Sequence, residues 1–591
     1  MPPKGSANLG MPVGIRQRLG IAKASAKPKA KASDLGLHLA KQFAVGRMRA
    51  SDVGDASAAA SSSSNASADV LRLAQGARKD ADTNDKPSKN SARSVKRTLA
   101  QMAESSGDNF KLTPYFAEVP MWDEDRQSQV FEPVAFLPPH EALHAAVPVG
   151  EEDGWCSISS SQEGLRGQLD AWARRTRTNV AVGPPIMSLP LWGDAAPMHH
   201  RNSLNLLTFK VLAGERRRRF WIVALPKRGV CRCGCGGRCS FQAVWQVTSY
   251  FFQCLLTGRW PEVDHLHNKF PTGSMRAKYA GRPMRFRAGC VSKVGDWAWY
   301  KQALNLQGWQ SRVPTARVCW LCRATIGDLD KCGLDAPWRG TEVNTADVLA
   351  GGCFVSTIWS IPGLVLSSVK PDWMHVCCLG VLQYLQGDVL WELVLQLGGT
   401  ITNHRGATTK LMGMIKAMSH EIGVKPPFHS LTIGMIRAGA GKPPKLKLKA
   451  AEGRHLLPVL RAVLTNCFDM SSEHAILRYH CVDALNSCYE EFKDWKGNGE
   501  SSRRLGQFAR RHVVLRCELR SQAESERVWC MFPKHHIFIH AAENSRVNPV
   551  VEWCYGDESE IGDAVKVASS MHPLHVHREL IERYCITNPF L

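Results

Sequence analysis

The runs Ile186-Met-Ser-Leu-Pro-Leu-Trp-Gly-Asp194 and Ala288-Gly-Cys-Val-Ser-Lys-Val-Gly-Asp296 decide the fold. Each is a short apolar stretch closed by Gly-Asp, the pattern of a buried strand that stops at a turn. Between them lie two more apolar runs, Ser203 to Leu212 and Phe220 to Leu225, and then a helical stretch from Phe241 to Leu256. A helix-like segment, Trp297 to Leu306, follows the second Gly-Asp. The order is therefore three strands, a helix and a fourth strand, with an aspartate at the end of the first and the fourth. If those two strands are neighbours, Asp194 and Asp296 share one rim of a sheet.

That order is the order of an RNase H-like core. Upstream of it the composition changes twice. Residues 1–100 hold 18 Lys/Arg and 7 Asp/Glu, half of the formal net charge of +22 in a sixth of the 591-residue chain. Residues 1 to about 105 are rich in Ala, Ser, Lys and Gly and poor in aromatics, so they cannot offset the entropy of ordering and read as a disordered basic arm. Lys27, Lys29, Lys31, Arg93, Lys96 and Arg97 there suit nuclear import or DNA phosphates, or a merely solvated linker. Residues 106–185 gain aromatics, but Pro114, Pro120, Pro133, Pro138 and Pro139 exclude long helices and predict an extended lead-in or auxiliary subdomain.

Hydrophobic residues make up 44% and charged residues 22%, which rules out wholesale disorder. A positive field attracts polyanions, nucleic acid among them, although membrane-surface, ribosomal and simply soluble basic proteins share the sign. Twenty cysteines would suit a secreted disulfide protein, but Met1-Pro-Pro-Lys-Gly-Ser6 leads into no apolar signal segment. The thiols therefore read as reduced or metal-bound. The longest uncharged stretch, Val348 to Val369, is broken by Pro362, Gly351, Gly352 and Gly363 and reads as buried core, so no membrane is expected.

Beyond residue 310 the pattern turns mostly helical, as in Val381 to Leu397, Thr408 to Ile422, Leu456 to Phe468 and Glu473 to Trp495. Cys319-Trp-Leu-Cys322 offers two thiolates at zinc spacing, and Lys534-His-His-Ile-Phe-Ile-His540 offers His535 or His536 with His540 to complete a tetrahedral set. Cys231, Cys233, Cys235 and Cys239 pack four thiols into nine residues after the third strand. This is a zinc knuckle, a redox-sensitive loop or a free-thiol turn. Asp372-Trp-Met-His375 reads first as a helix cap with a core histidine, and otherwise as support for a metal or DNA site. Lys442, Lys445, Lys447 and Lys449 form a basic loop that is either solvated or a phosphate track.

Late in the chain, Tyr555-Gly-Asp-Glu-Ser-Glu560 supplies Asp557, Glu558 and Glu560 at the start of a closing helix, Ile561 to Ser570. Gly-Asp is a common turn and Asp-Glu a common helix start, so no one acid stands alone as a signal. Three convergent carboxylates would hold magnesium or manganese, hard ions that prefer oxygen ligands. Two such ions serve in-line displacement at phosphorus.

Over roughly residues 186 to 591 the chain resembles DDE transposases with an RNase H-like core, in the group that includes CACTA elements and the catalytic subunit of the V(D)J recombinase. The resemblance makes Gly193-Asp194 the first acid, Gly295-Asp296 the second and Glu558 the catalytic glutamate, with Glu560 the alternative. It matches Cys319 and Cys322 to zinc cysteines, Met374-His375 to a Met-His element, and His535 or His536 with His540 to paired histidines. The run Cys231 to Cys239 and the phrases Pro371-Asp-Trp-Met-His375 and Tyr555-Gly-Asp-Glu558 also look like those of a lineage-expanded set of transposon-derived proteins.

The expected fold class is thus α/β, an RNase H-like mixed sheet core interrupted by a large, mainly helical, zinc-bearing insertion, after a disordered basic arm. Its units are 1–105, 106–185, 186–310, 311–545 and 546–591. The resemblance implies magnesium-dependent DNA cleavage and strand transfer in the nucleus, structural zinc, a DNA partner, a homo-oligomer and no small-molecule cofactor. The rival reading is a domesticated or decayed relative that binds DNA or chromatin without chemistry. A third is a zinc-stabilised interaction protein. Residues 1–185 show no finger or basic zipper for recognising particular DNA ends.

Overall fold

Each apolar run becomes a strand in the computed structural model: β3 over Ile186–Pro197, β4 over Ser203–Lys210, β5 over Arg219–Pro226 and β6 over Arg287–Gly295. The structure describes residues 56, 57 and 112–587, apart from 159–161, 199–201, 213–217, 309–312, 351–354, 438, 440, 498 and 524–526. The basic arm and its lysines and arginines lie outside the described residues. With β1 (Tyr115–Asp123), β2 (Ser128–Phe136) and β7 (Val369–Pro371), the strands form one mixed seven-stranded sheet in the order β1-β2-β5-β4-β3-β6-β7. Strands β3, β4 and β5 are antiparallel neighbours, whereas β6 and then β7 join β3 in parallel. The parallel step from β5 back to β6 needs a crossover, and the helix Arg238–Thr257 makes it, packing on β6 and β1.

The lead-in differs from expectation. Residues 115–136 form a hairpin that adds two strands beyond β5, with Tyr115 opposite Phe136 and Pro120 opposite Phe131. Prolines are tolerated there because β1 is the sheet edge and β2 meets β5 only at Phe136. Pro139 begins a short helix, Pro139–Ala146, where its missing N–H is not needed. A full helix, Glu163–Thr176, also forms, and its Trp172 lies so close to Gly289 of β6 that a Cβ on that glycine would overlap the indole. In the stretch Val348 to Val369, of which 351–354 lie outside the described residues, Leu349 ends the helix Thr345–Leu349 and is exposed, while Ile358, Ile361, Leu364 and Leu366 are buried among short turns. No described helix is long and apolar enough to cross a membrane.

After β7 the chain forms a mainly helical insertion: Leu382–Gln396, Arg405–Glu421, Ala450–Cys467, Glu473–Lys493, Gly499–Gln522 and Pro533–Glu543. Its last helix, Pro533–Glu543, packs on β7 and on the π-helical turn Met374–Val381, and so ties the insertion to the sheet. The chain then returns through Tyr555–Ala568, which packs on β3 and β4, and Val576–Thr587, which packs on β5 and β2. The closing helix begins earlier than the expected Ile561, so Glu558 sits in its first turn.

Candidate functional site

Strand β3 keeps its ladder with β6 only as far as Gly193 opposite Gly295, while it stays paired with β4 to Pro197. The expected strand end at Gly193-Asp194 is thus the point where β3 leaves β6, because β4 still offers backbone partners. Both glycines are required: a Cβ on Gly193 would overlap the Trp299 ring, and one on Gly295 would press on the Gly193 carbonyl. Asp194 and Asp296 follow this paired position directly and lie on one rim.

Glu558 reaches that rim from the closing helix, and His375 stands between the acids. His375 Nε2 lies 3.5 Å from Asp194 Oδ2 and 3.4 Å from Glu558 Oε1. One donor atom from each of Asp194, His375 and Glu558 falls within 4.8 Å of the others. Asp296 is not in this set. Its side chain accepts from the Ala298 N–H at 3.2 Å and caps the helix Trp297–Ala303, although its charge is felt at Asp194. Burial first, then the charges of Asp296 and Glu558, raise the Asp194 pKa well above the ordinary carboxylate value against the pull of His375.

Asp372 is the hub that holds His375. Buried at 1% exposure, its Oδ2 accepts from the His375 backbone N–H at 2.9 Å and from Nδ1 at 2.7 Å, and its Oδ1 accepts from the Cys554 N–H at 3.1 Å. One carboxylate therefore caps the turn, as the cap reading expected, and also orients the imidazole and anchors the entry to the Glu558 helix. Burial would lower the His375 pKa, but the hydrogen bond to Asp372 and the contacts with Glu558 and Asp194 outweigh it, and the value lies well above that of a free imidazole. The acids around it therefore favour the charged form of the ring.

Glu560 points elsewhere, accepting from Trp221 Nε1 of β5 at 3.0 Å. Asp557, the neighbour of Glu558, is fully buried and bound by Lys210 Nζ at 3.2 Å and Arg219 Nε at 3.0 Å. These contacts fix the first turn of the closing helix against β4 and β5. Sequence reasoning missed this clasp, although a lone lysine closing the apolar run Ser203 to Lys210 was a signal for a buried partner. It also missed Lys293, fully buried with Nζ 4.3 Å from the Trp299 ring centroid and donating to the Val294 carbonyl at 2.8 Å. Burial pushes that amine down to about 7.

The second constellation joins distant segments. His536 and His540, one helical turn apart on Pro533–Glu543, face Cys319 and Cys322, and all four ligand atoms lie within 4.8 Å of one another. Cys322 Sγ is 3.2 Å from His536 Nε2 and 3.4 Å from His540 Nε2, and the two Nε2 atoms are 3.2 Å apart. Zinc bonds of about 2.3 Å to sulfur and 2.0–2.1 Å to nitrogen give tetrahedral edges of about 3.6 Å for S···N and 3.4 Å for N···N. The donor set thus fits one zinc ion. Cys319, His536 and His540 hold the Cys322 thiol far below its ordinary pKa against the effect of burial. His535 is excluded, since its Nδ1 accepts from the Phe532 N–H at 3.0 Å and it caps the helix.

The same helix links the two constellations. Lys534 Nζ donates to the His375 carbonyl at 2.6 Å, at the start of the π-helical segment. The thiols of Cys231, Cys233, Cys235 and Cys239 also converge within 4.8 Å, so that they can hold a metal. In the basic loop Leu446 and Leu448 are buried, Lys447 and Lys449 alternate with them as exposed residues, Lys442 is exposed, and Lys445 Nζ lies 5.1 Å from the Tyr384 ring centroid. Among known proteins, no family model matches this chain and no curated protein matches its sequence.

Proposed function

We propose that the chain is a metal-dependent DNA nuclease and strand transferase of the DDE transposase type, built on an RNase H-like core with a zinc-bearing helical insertion. One observation carries the reading: Asp194 on a central strand and Glu558 from the far end of the chain converge on His375, with Asp296 on the same rim. The strand order, with three antiparallel strands followed by two parallel ones across a helix, supports the core assignment. The donor chemistry fits a positive charge, because the Asp194 and Glu558 carboxylates crowd together and, among the described residues, His375 Nε2 stands between them at 3.5 and 3.4 Å.

Asp194, Asp296 and Glu558 would hold magnesium or manganese, which supplies charge neutralisation and an activated oxygen nucleophile for displacement at phosphorus. His375 contributes its own charge. Asp372 accepts a hydrogen bond from Nδ1–H, which leaves the Nε2–H facing the acids, in position to donate to a phosphoryl or leaving-group oxygen. Cys319, Cys322, His536 and His540 would hold structural zinc, and Lys534 on the same helix sets His375 in place. Lys447 and Lys449 serve as phosphate contacts, and the reading entails a nuclear location and a dimer or larger assembly.

The test is nicking of supercoiled DNA by the full chain with magnesium, alongside Asp194→Asn and Glu558→Gln. Both variants should lose nicking by a hundredfold or more while retaining salt-dependent DNA binding. Undiminished nicking in either variant would sink the proposal. A second reading, DNA or chromatin binding without chemistry, is favoured by the engagement of Asp296 as a helix cap. It gains if the wild-type chain binds DNA tightly and never nicks it.

A further inference from the structure

Cys231-Arg-Cys-Gly-Cys-Gly-Gly-Arg-Cys239 stands apart from both constellations, between the exit of β5 and the helix Arg238–Thr257. Gly234, Gly236 and Gly237 all have left-handed backbone, with φ of +89°, +64° and +94°. Those turns fold nine residues tightly enough to bring four sulfurs together, and a side chain at any of them would be strained. Cys233 Sγ and Cys239 Sγ are 3.7 Å apart. A tetrahedron with zinc–sulfur bonds of about 2.3 Å has edges of about 3.8 Å.

The spacing describes neither a formed disulfide nor a larger cluster. It is far from a covalent sulfur–sulfur bond of about 2.05 Å. Four thiols within 4.8 Å are too close to surround an iron–sulfur cluster and suit a single ion instead. The cluster also lies where a negative tetrathiolate centre is favoured, at the N-terminus of a twenty-residue helix and beside Arg232 and Arg238.

Its surroundings show what such an ion would hold. Val230 bridges to Met121 of β1. The Cys231 N–H donates to Ser240 Oγ at 2.9 Å, and that hydroxyl donates to the Pro120 carbonyl of β1. Arg232 pairs with Glu124 at the hairpin turn at 3.2 Å. On its other side, Gly237 packs against Gln302, at the end of the helix that Asp296 caps.

We propose that Cys231, Cys233, Cys235 and Cys239 bind a second, independent zinc ion that staples the β1–β2 hairpin to the start of the helix Arg238–Thr257. This assignment does not depend on DNA cleavage. The purified full chain should contain two zinc ions, and Cys233→Ser, at the exposed ligand, should contain one. In the cobalt-substituted chain the charge-transfer absorption per metal should fall in Cys233→Ser, as the site richest in sulfur is lost. Titrating folded wild-type chain with a mercurial should release zinc in two steps, which tests the site without any variant. Hydrogen exchange should rise in residues 115–136 and 230–241 of Cys233→Ser while Pro533–Glu543 stays protected. Two zinc ions retained in Cys233→Ser, one zinc in the wild type, release in a single step, iron in place of zinc, or unchanged exchange in the hairpin would each overturn the proposal.

Discussion

Replacing Asp557 with alanine should strip Lys210 and Arg219 of their shared counter-charge, with unequal consequences. Arg219 is 19% exposed and can turn its guanidinium to water, but Lys210 is 3% exposed and cannot. At the 3.2 Å separation of Lys210 Nζ and Asp557 Oδ2, an effective dielectric constant near 20 gives an attraction of about 5 kcal/mol. That agrees with about 3–5 kcal/mol for removing one partner of a buried pair. Asp557→Ala should therefore lose about 3–5 kcal/mol in urea unfolding followed by tryptophan fluorescence. Adding Lys210→Met should restore most of it, because the lone buried charge disappears with its partner. Since Asp557 lies next to Glu558 in the same helical turn, Asp557→Ala should also slow magnesium-dependent nicking, whereas the double variant, though stable, should remain slow. A loss under about 1 kcal/mol, or a double variant no more stable than the single one, would refute this account of the clasp.

Asp372→Asn removes the carboxylate that raises the His375 pKa, so the alkaline limb of the nicking pH profile should move to lower pH; an unmoved limb would show that His375 does not set it. Burial pushes His512 down to about 4 from its ordinary 6.5, so on acidification the unfolded chain takes up that proton first. Its contribution is complete above pH 6.5 and should fall by about 1.4 kcal/mol per pH unit between 6.5 and 4, with His512→Leu unfolding less steeply with pH over that window. Gly193→Ala should cost about 1–3 kcal/mol by overpacking against Trp299, and Trp299→Leu in the same chain should recover part of the loss in urea midpoint.

Local pattern carried far in this chain. Strands β3 to β6 followed from apolar runs long enough to be buried on both faces, and the end of β6 from Gly295-Asp296, whereas β3 runs past Gly193-Asp194 to Pro197 because β4 still pairs with it. The two metal-type motifs were legible because thiols at positions 319 and 322, and histidines one helical turn apart at 536 and 540, have few other reasons to be so spaced. The hairpin Tyr115–Phe136 was not legible, because its prolines argue against strands in general and are excused only at a sheet edge, and edge position is a property of the assembled sheet.

The sequence by itself determined the candidate ligands, the strand order along the chain and the acids available, since these depend on residue type and short spacing. Only the tertiary structure decided which members meet. It chose His536 over His535 because a helix presents positions four apart, not five, on one face, and it turned Glu560 to Trp221 while Glu558 faced His375. To the two local hydrogen bonds that Asp372 accepts from His375 it added the one from the Cys554 N–H, by bringing β7 beside the entry to the closing helix. Contacts between residues far apart in the chain depend on how layers pack, and packing is set by the sum of many weak, non-directional burials that no single stretch of sequence encodes.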